Sequence, residues 1–267
     1  MINDIKFEVC ICNEQDAIIA SKYPIDRIEL VTNIEVGGLT PSIETIKYLK
    51  QNISTPICCM DRSRGGDYCY TQSEKEAMLI DAKNMLDAGA DGIVFGFINE
   101  DNTVDIEYTK KMVSLIHSYN KEAVFHRAFD VPKDIENTIQ LMIELQVDRV
   151  LTSGQAPFEN IIDGAKDIKQ INEKYGDKIQ ILFGGGVRVS NVNEIINISN
   201  VKQIHATSKH EVDGKYRLDE KQLQEFIEQL KRLTHWVNLI FLDDLHIDIH
   251  LLYRWYDLLL CILVYYL

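Results

Sequence analysis

Groups able to do proton or metal chemistry stand at the ends of short apolar runs in this chain. Glu8, Cys10 and Cys12 lie in Phe7-Glu8-Val9-Cys10-Ile11-Cys12, and Glu29 lies in Arg27-Ile28-Glu29-Leu30-Val31. His126 closes Ala123-Val124-Phe125-His126-Arg127, and His205 falls in Gln203-Ile204-His205-Ala206-Thr207. Two carboxylates and two imidazoles can divide acid and base roles when their environments push their pKa values apart. Glu8, Glu29, His126 and His205 are therefore the candidate catalytic groups. Cys10 and Cys12 share one strand face, and soft thiolates select Cu(I) or zinc. The chain has no CxxC pair, which disfavours a structural zinc site, and a buried free thiol also serves simply as a small hydrophobe.

A second set of residues suits an anion. Met60-Asp61-Arg62-Ser63-Arg64-Gly65-Gly66-Asp67 puts two arginines beside a glycine pair, a combination that offers guanidinium forks and exposed backbone N–H groups. The competing reading is a glycine turn with Arg64 paired to Asp67. Gly184-Gly185-Gly186, Thr207-Ser208-Lys209 and Thr152-Ser153-Gly154 follow three other apolar runs. The candidate substrate contacts are Arg62, Arg64, Asp67, Ser153, Gly185, Gly186 and Thr207.

These residues need a scaffold that brings distant positions together. Eight apolar runs alternate with stretches of helical spacing, which implies parallel strands joined by crossover helices. Eight such units predict an α/β chain folded as a (β/α)8 barrel of the TIM type, with its active site at the strands' C-terminal ends. Strand parity turns Val9, Ile11, Ile28 and Leu30 toward the helices, so Glu8, Cys10, Cys12, Arg27, Glu29 and Val31 point inward. His126, His205 and Thr207 join them, with Arg62 on the face of Met60. A structural salt-bridge layer would explain the same residues. Thr40-Pro41, Ser73-Glu74-Lys75-Glu76 and Ser190-Asn191 read as helix starts, and Ala88-Gly89 as a helix end.

Among 267 residues, 46% are hydrophobic and 26% charged, proportions that fit one soluble barrel domain. A net charge of −13 argues against a nucleic-acid surface while leaving room for a small anionic ligand in a locally basic pocket. Met1-Ile2-Asn3-Asp4-Ile5-Lys6 lacks the basic start and apolar core of a secretory signal, and the six cysteines lack a disulfide pattern. The expected location is cytoplasmic. The barrel is expected over residues 1–233, followed by an apolar extension over 234–267 that Arg254 and Asp257 interrupt. That extension reads as a packed appendage, a membrane or partner contact, or a non-native terminus.

Several of these segments resemble one family. Phe7-Glu8-Val9-Cys10, Arg27-Ile28-Glu29-Leu30, Glu35-Val36-Gly37-Gly38-Leu39-Thr40-Pro41-Ser42, Arg62-Ser63-Arg64-Gly65-Gly66-Asp67, Phe125-His126-Arg127-Ala128-Phe129-Asp130 and Val150-Leu151-Thr152-Ser153-Gly154 are similar to the copper homeostasis protein CutC family. The resemblance spans about residues 7 to 232. It implies a TIM-type barrel, a cytoplasmic homo-oligomer and a part in copper handling, with Cu(I) as the ligand and Cys10 and Cys12 as its candidate thiols. It carries no settled reaction, so acid–base chemistry on a small anionic or phosphorylated metabolite stands beside copper binding. Two departures matter: some relatives have a second cysteine where this chain has Val31, and the arginine loop here has lost a proline.

Overall fold

A computed structural model describes residues 1–212 and 214–243. Eight strands, β1 (Lys6–Ile11), β2 (Arg27–Leu30), β3 (Ile57–Met60), β4 (Gly92–Phe95), β5 (Glu122–Phe125), β6 (Arg149–Thr152), β7 (Gln180–Phe183) and β8 (Gln203–Ala206), close in sequence order into one parallel barrel. The connecting helices are α1 (Glu14–Ala20), α2 (Ile43–Asn52), α3 (Gln72–Asp87), α4 (Ile106–Ser118), α5 (Ile135–Glu144), α6 (Ile161–Tyr175) and α7 (Val192–Ser199), and α8 (Glu220–Asp243) follows the last strand. The (β/α)8 expectation holds. Residues 1–230 form one compact unit and the chain from Lys231 another. Most of the apolar extension, residues 244–267, lies outside the described residues. Among the described residues no helix is long and apolar enough to cross a membrane.

Helix starts differ from the sequence reading by a few residues, for a local reason. Thr71, not Ser73, caps α3: its hydroxyl accepts from the Glu74 amide while the Glu74 carboxylate accepts from the Thr71 amide. Ser42, not Thr40, caps α2, because the Thr40 hydroxyl instead donates to the Arg62 carbonyl. Asn191 precedes α7 as expected, and Gly89 leaves α3 with φ +98°, a conformation that favours glycine. A polar antiparallel hairpin, β9 (Lys209–Val212) and β10 (Lys215–Leu218), sits between β8 and α8. Its Asp213-Gly214 pair is a hairpin signal that the hydrophobic pattern alone passes over.

The lumen has layers of different chemistry. Parallel register sets Glu8 opposite both Arg27 and His205, and Cys10 opposite Glu29. Deep in the barrel, Arg27 Nε donates to Glu8 Oε2 at 2.7 Å and its NH2 donates to Gln203 Oε1 at 2.7 Å. Arg149, fully buried, donates to Glu122 at 2.9 Å and lies 3.9 Å from Glu8. This layer is the structural salt-bridge belt, and Glu8 belongs to it. A band of Cys10, Val31, Cys58, Met60, Val94 and Val124 packs the lumen as a small hydrophobic cluster. The inward parity read for Glu8, Cys10, Arg27, Glu29 and Val31 is therefore the parity observed, and half-buried Cys12 packs against the same cluster.

Removing one member of a buried ion pair leaves the other charge unmatched, at about 3–5 kcal/mol. Arg149→Met should lower unfolding stability by that order in urea titration, with an unchanged denaturant slope. A loss below about 1 kcal/mol would show that Arg149 is not needed to hold Glu8 ionised.

Candidate functional site

At the centre of the site stands His205, on β8. Its Nδ1 lies 2.9 Å from Glu8 Oε1, and its Nε2 lies 3.6 Å from Glu29 Oε2. Cys10 reaches the same point from β1: one ligand atom each from Cys10, Glu29 and His205 falls within a 4.8 Å group. All three side chains are buried. Burial alone would raise the Glu8 carboxyl, but the His205 hydrogen bond and the Arg27 and Arg149 charges outweigh it and hold Glu8 far below the usual range. Glu29 goes the other way, raised by desolvation that the His205 charge only partly offsets. Burial disfavours a charged His205, yet Glu29 and Glu8 prevail and raise its pKa. Burial, then the neighbouring Glu29, pushes the Cys10 thiol well up.

Two carboxylates on one imidazole thus have opposite tendencies. Glu8 is a fixed anion that orients Nδ1–H, whereas Glu29 keeps an Oε1 with no hydrogen-bond partner. Such a carboxylate–imidazole unit, with Nε2 facing the Glu29 carboxylate and the Cys10 thiol in the same cluster, can hold a metal ion or pass a proton.

Above this cluster opens a cavity of about 270 Å³. Cys10, Glu29 and His205 form its polar floor, and Arg62, Tyr68, His126, Arg127, Thr207 and Lys209 contribute to its walls. The Arg62 guanidinium donates to the carbonyls of Val36, Gly38 and Gly66. Arg127 pairs with Asp130 at 2.9 Å and donates to the Ser153 hydroxyl at 2.8 Å. It can lie against Gly185, φ +84°, only because that residue has no Cβ: one would approach the guanidinium to 2.7 Å. His126 accepts the Ala128 amide proton on Nδ1 at 3.1 Å, which places its own proton on Nε2. Burial, aided by the charges of Arg62 and Arg127, pushes its pKa down to about 3.

The structure brings Cys10, Glu29, Arg62, His126, Gly185, His205 and Thr207 to one cavity. Glu8 sits beneath it. Cys12 lines a separate depression with Asn33, Glu35 and Glu211. Arg64 turns outward to Glu74, Asp67 and the Cys69 carbonyl, and Asp67 is exposed. Ser153 acts on Arg127, and Gly186 packs on Ile161. Sequence reasoning missed Arg127, Lys209 and Tyr68. Arg127 follows His126 directly at a strand end, and that position beside a candidate site residue was the available signal.

A neutral, buried His126 has a signature in acid. The unfolded chain takes up a proton there below pH about 6.5 and the native state does not until about pH 3, so its contribution is intact above pH 6.5 and lost on descending through that window. Wild-type stability should fall about 1.4 kcal/mol per pH unit more steeply than that of His126→Gln below pH 6.5, read by urea unfolding across pH 8 to 4. Parallel curves would contradict a neutral His126.

The comparisons with known proteins converge. The CutC family profile matches residues 5–210. A CutC family protein of Treponema denticola is 39% identical over 204 residues, covering 76% of this chain and 81% of its own. The human copper homeostasis protein cutC homolog is 32% identical, covering 79% and 76% respectively. A crystal structure of CutC from Streptococcus agalactiae superposes with a TM-score of 0.70 at 34% identity, covering 75% of this chain and 97% of that one. A phosphoribosylanthranilate isomerase from Pyrococcus furiosus, at 17% identity and a TM-score of 0.55, shares the barrel fold alone. With a family match across the barrel and relatives alike over three quarters of its length, the chain belongs to the CutC family.

Proposed function

We propose that this CutC protein serves copper homeostasis by holding one Cu(I) ion at the floor of the barrel mouth, between the Cys10 sulfur and His205 Nε2, with the Glu29 carboxylate as a third, weaker donor. The observation that carries this reading is the Glu8–His205 hydrogen bond. An anion fixed on Nδ1 leaves Nε2 as the imidazole's only coordinating atom and raises its basicity, the arrangement found behind metal-ligating histidines. Thiolate and imidazole are soft and borderline donors suited to Cu(I). Val31 packs in the same lumen cluster as Cys10 and offers no donor, so the borderline imidazole supplies the second ligand. The free thiols of Cys10, Cys12, Cys58, Cys59 and Cys69 suit a reducing compartment, which supports cytoplasmic residence.

Loading must displace protons. The Cys10 thiol, pushed well up, is protonated near neutrality, and His205 holds its proton more tightly than a free imidazole, so binding the metal releases protons from this pair. Apparent Cu(I) affinity, measured anaerobically against a competing colorimetric chelator, should rise with pH by about tenfold to a hundredfold per unit between pH 6 and 8. At pH 7, Cys10→Ser and His205→Gln should each weaken binding on the order of a hundredfold or more, and Cys12→Ser by less than about threefold. Tight, one-to-one binding that survives Cys10→Ser would remove the ion from this floor.

A further inference from the structure

The walls of the cavity carry more positive charge than the protein neutralises. Arg62 is only 4% exposed, pairs with no carboxylate among the described residues, and keeps an Nε without a partner. Its neighbour in sequence, Asp61, does not answer it: burial pushes that carboxyl well up toward the neutral form, and neither of its oxygens is hydrogen-bonded. Lys209 rests its ammonium 4.0 Å from the Tyr216 ring and likewise meets no carboxylate among the described residues. Arg127 is matched by Asp130, so two cations remain unmatched around 270 Å³ of space. Leaving a buried guanidinium without a counter-charge is costly, and buried charges are ordinarily paired with an opposite one.

Neutral donors point to the same occupant. His126 carries its proton on Nε2, which is buried without an acceptor on a residue that lines the cavity. The Gly185 amide has no acceptor among the described residues, and Thr207 lines the same cavity. Both lie in the loops after β7 and β8, where barrels of this type hold phosphate groups. Donors in excess of acceptors and two wall cations without a carboxylate partner among the described residues fit a tetrahedral anion.

We propose that the CutC barrel mouth contains an anion subsite, formed by Arg62, His126, Gly185, Thr207 and Lys209, that binds the phosphate group of a small phosphorylated ligand directly above the Cys10–Glu29–His205 floor. A cavity of this size holds a phosphate with a few carbons attached. The Arg64-Gly65-Gly66-Asp67 turn takes no part, since Arg64 is committed to Glu74 and Asp67. The subsite does not depend on copper, because none of its donors belongs to the floor.

The test uses the full chain, reduced and treated with EDTA and a Cu(I) chelator so that metal binding plays no part. Inorganic phosphate and glycerol 3-phosphate are titrated by calorimetry at low ionic strength, with chloride as the control salt. Saturable one-to-one binding of either phosphate is expected at millimolar concentration or below. Lys209→Gln, on the exposed hairpin, should weaken it about tenfold, and Arg62→Lys should weaken it further by losing the forked geometry. Lys47→Gln on α2, far from the mouth, should leave it unchanged. Tighter binding of glycerol 3-phosphate would identify an organic phosphate as the ligand, and equal binding would identify free phosphate; both uphold the subsite. No saturable binding up to tens of millimolar, or binding that Lys209→Gln and Arg62→Lys leave intact, would overturn it whatever the copper titrations show.

Discussion

Burying a carboxylate inside a strand-lined lumen costs several kcal/mol unless opposite charges and hydrogen bonds surround it. Glu8 meets that condition with Arg27, Arg149 and His205, which reach it from β2, β6 and β8. The ion centre therefore does two things at once. It closes the barrel around a polar belt that ties β1 to strands on both sides of it, and it fixes which nitrogen of His205 faces the mouth. Everything above Glu8 inherits that orientation: Nε2 points toward Glu29, in the cluster that Cys10 completes, because Nδ1 is held by Glu8.

Charge is arranged in tiers along the barrel axis. The belt at Glu8 is ionised and compensated, the floor at Cys10, Glu29 and His205 holds buried groups whose pKa values are all raised, and the walls at Arg62, Arg127 and Lys209 are net positive. A soft cation on the floor and an anion between the walls would neutralise different tiers, so the two ligands do not compete for the same donors. With both present, the carboxylate and thiolate would answer the metal while the anion answered the guanidinium and ammonium. The family's association with copper and an interior rich in basic groups are thus compatible features of one cavity.

Much of this was legible in the sequence, and the limits were physical. The period of the apolar runs specified eight parallel strands, and alternation along β1 and β2 correctly turned Glu8, Cys10, Arg27, Glu29 and Val31 inward. Parity could not say how deep a residue sits along the barrel axis. Glu8 and Glu29 looked equivalent in the sequence but fall in different tiers with opposite pKa tendencies. Cys12, just past the last residue of β1, packs against the lumen cluster of Cys10 and Val31 yet opens onto a different depression from the one above His205. Arg127 and Lys209 escaped notice because a loop side chain just past a strand can turn over the barrel mouth regardless of its parity. The same freedom sends Arg64 outward to the α3 capping box.

The central claim is that Glu8 fixes the protonation and aim of His205, and 15N NMR of histidine-labelled protein tests it most directly. Metal-free protein at pH 6, below the ordinary histidine pKa that Glu29 and Glu8 raise further, should show His205 as an imidazolium with both nitrogens protonated. Loading with Cu(I) should remove the Nε2 proton and shift that nitrogen while the Nδ1–H signal persists. Retention of the Nε2 proton in the loaded protein, or loss of the proton at Nδ1, would contradict the account.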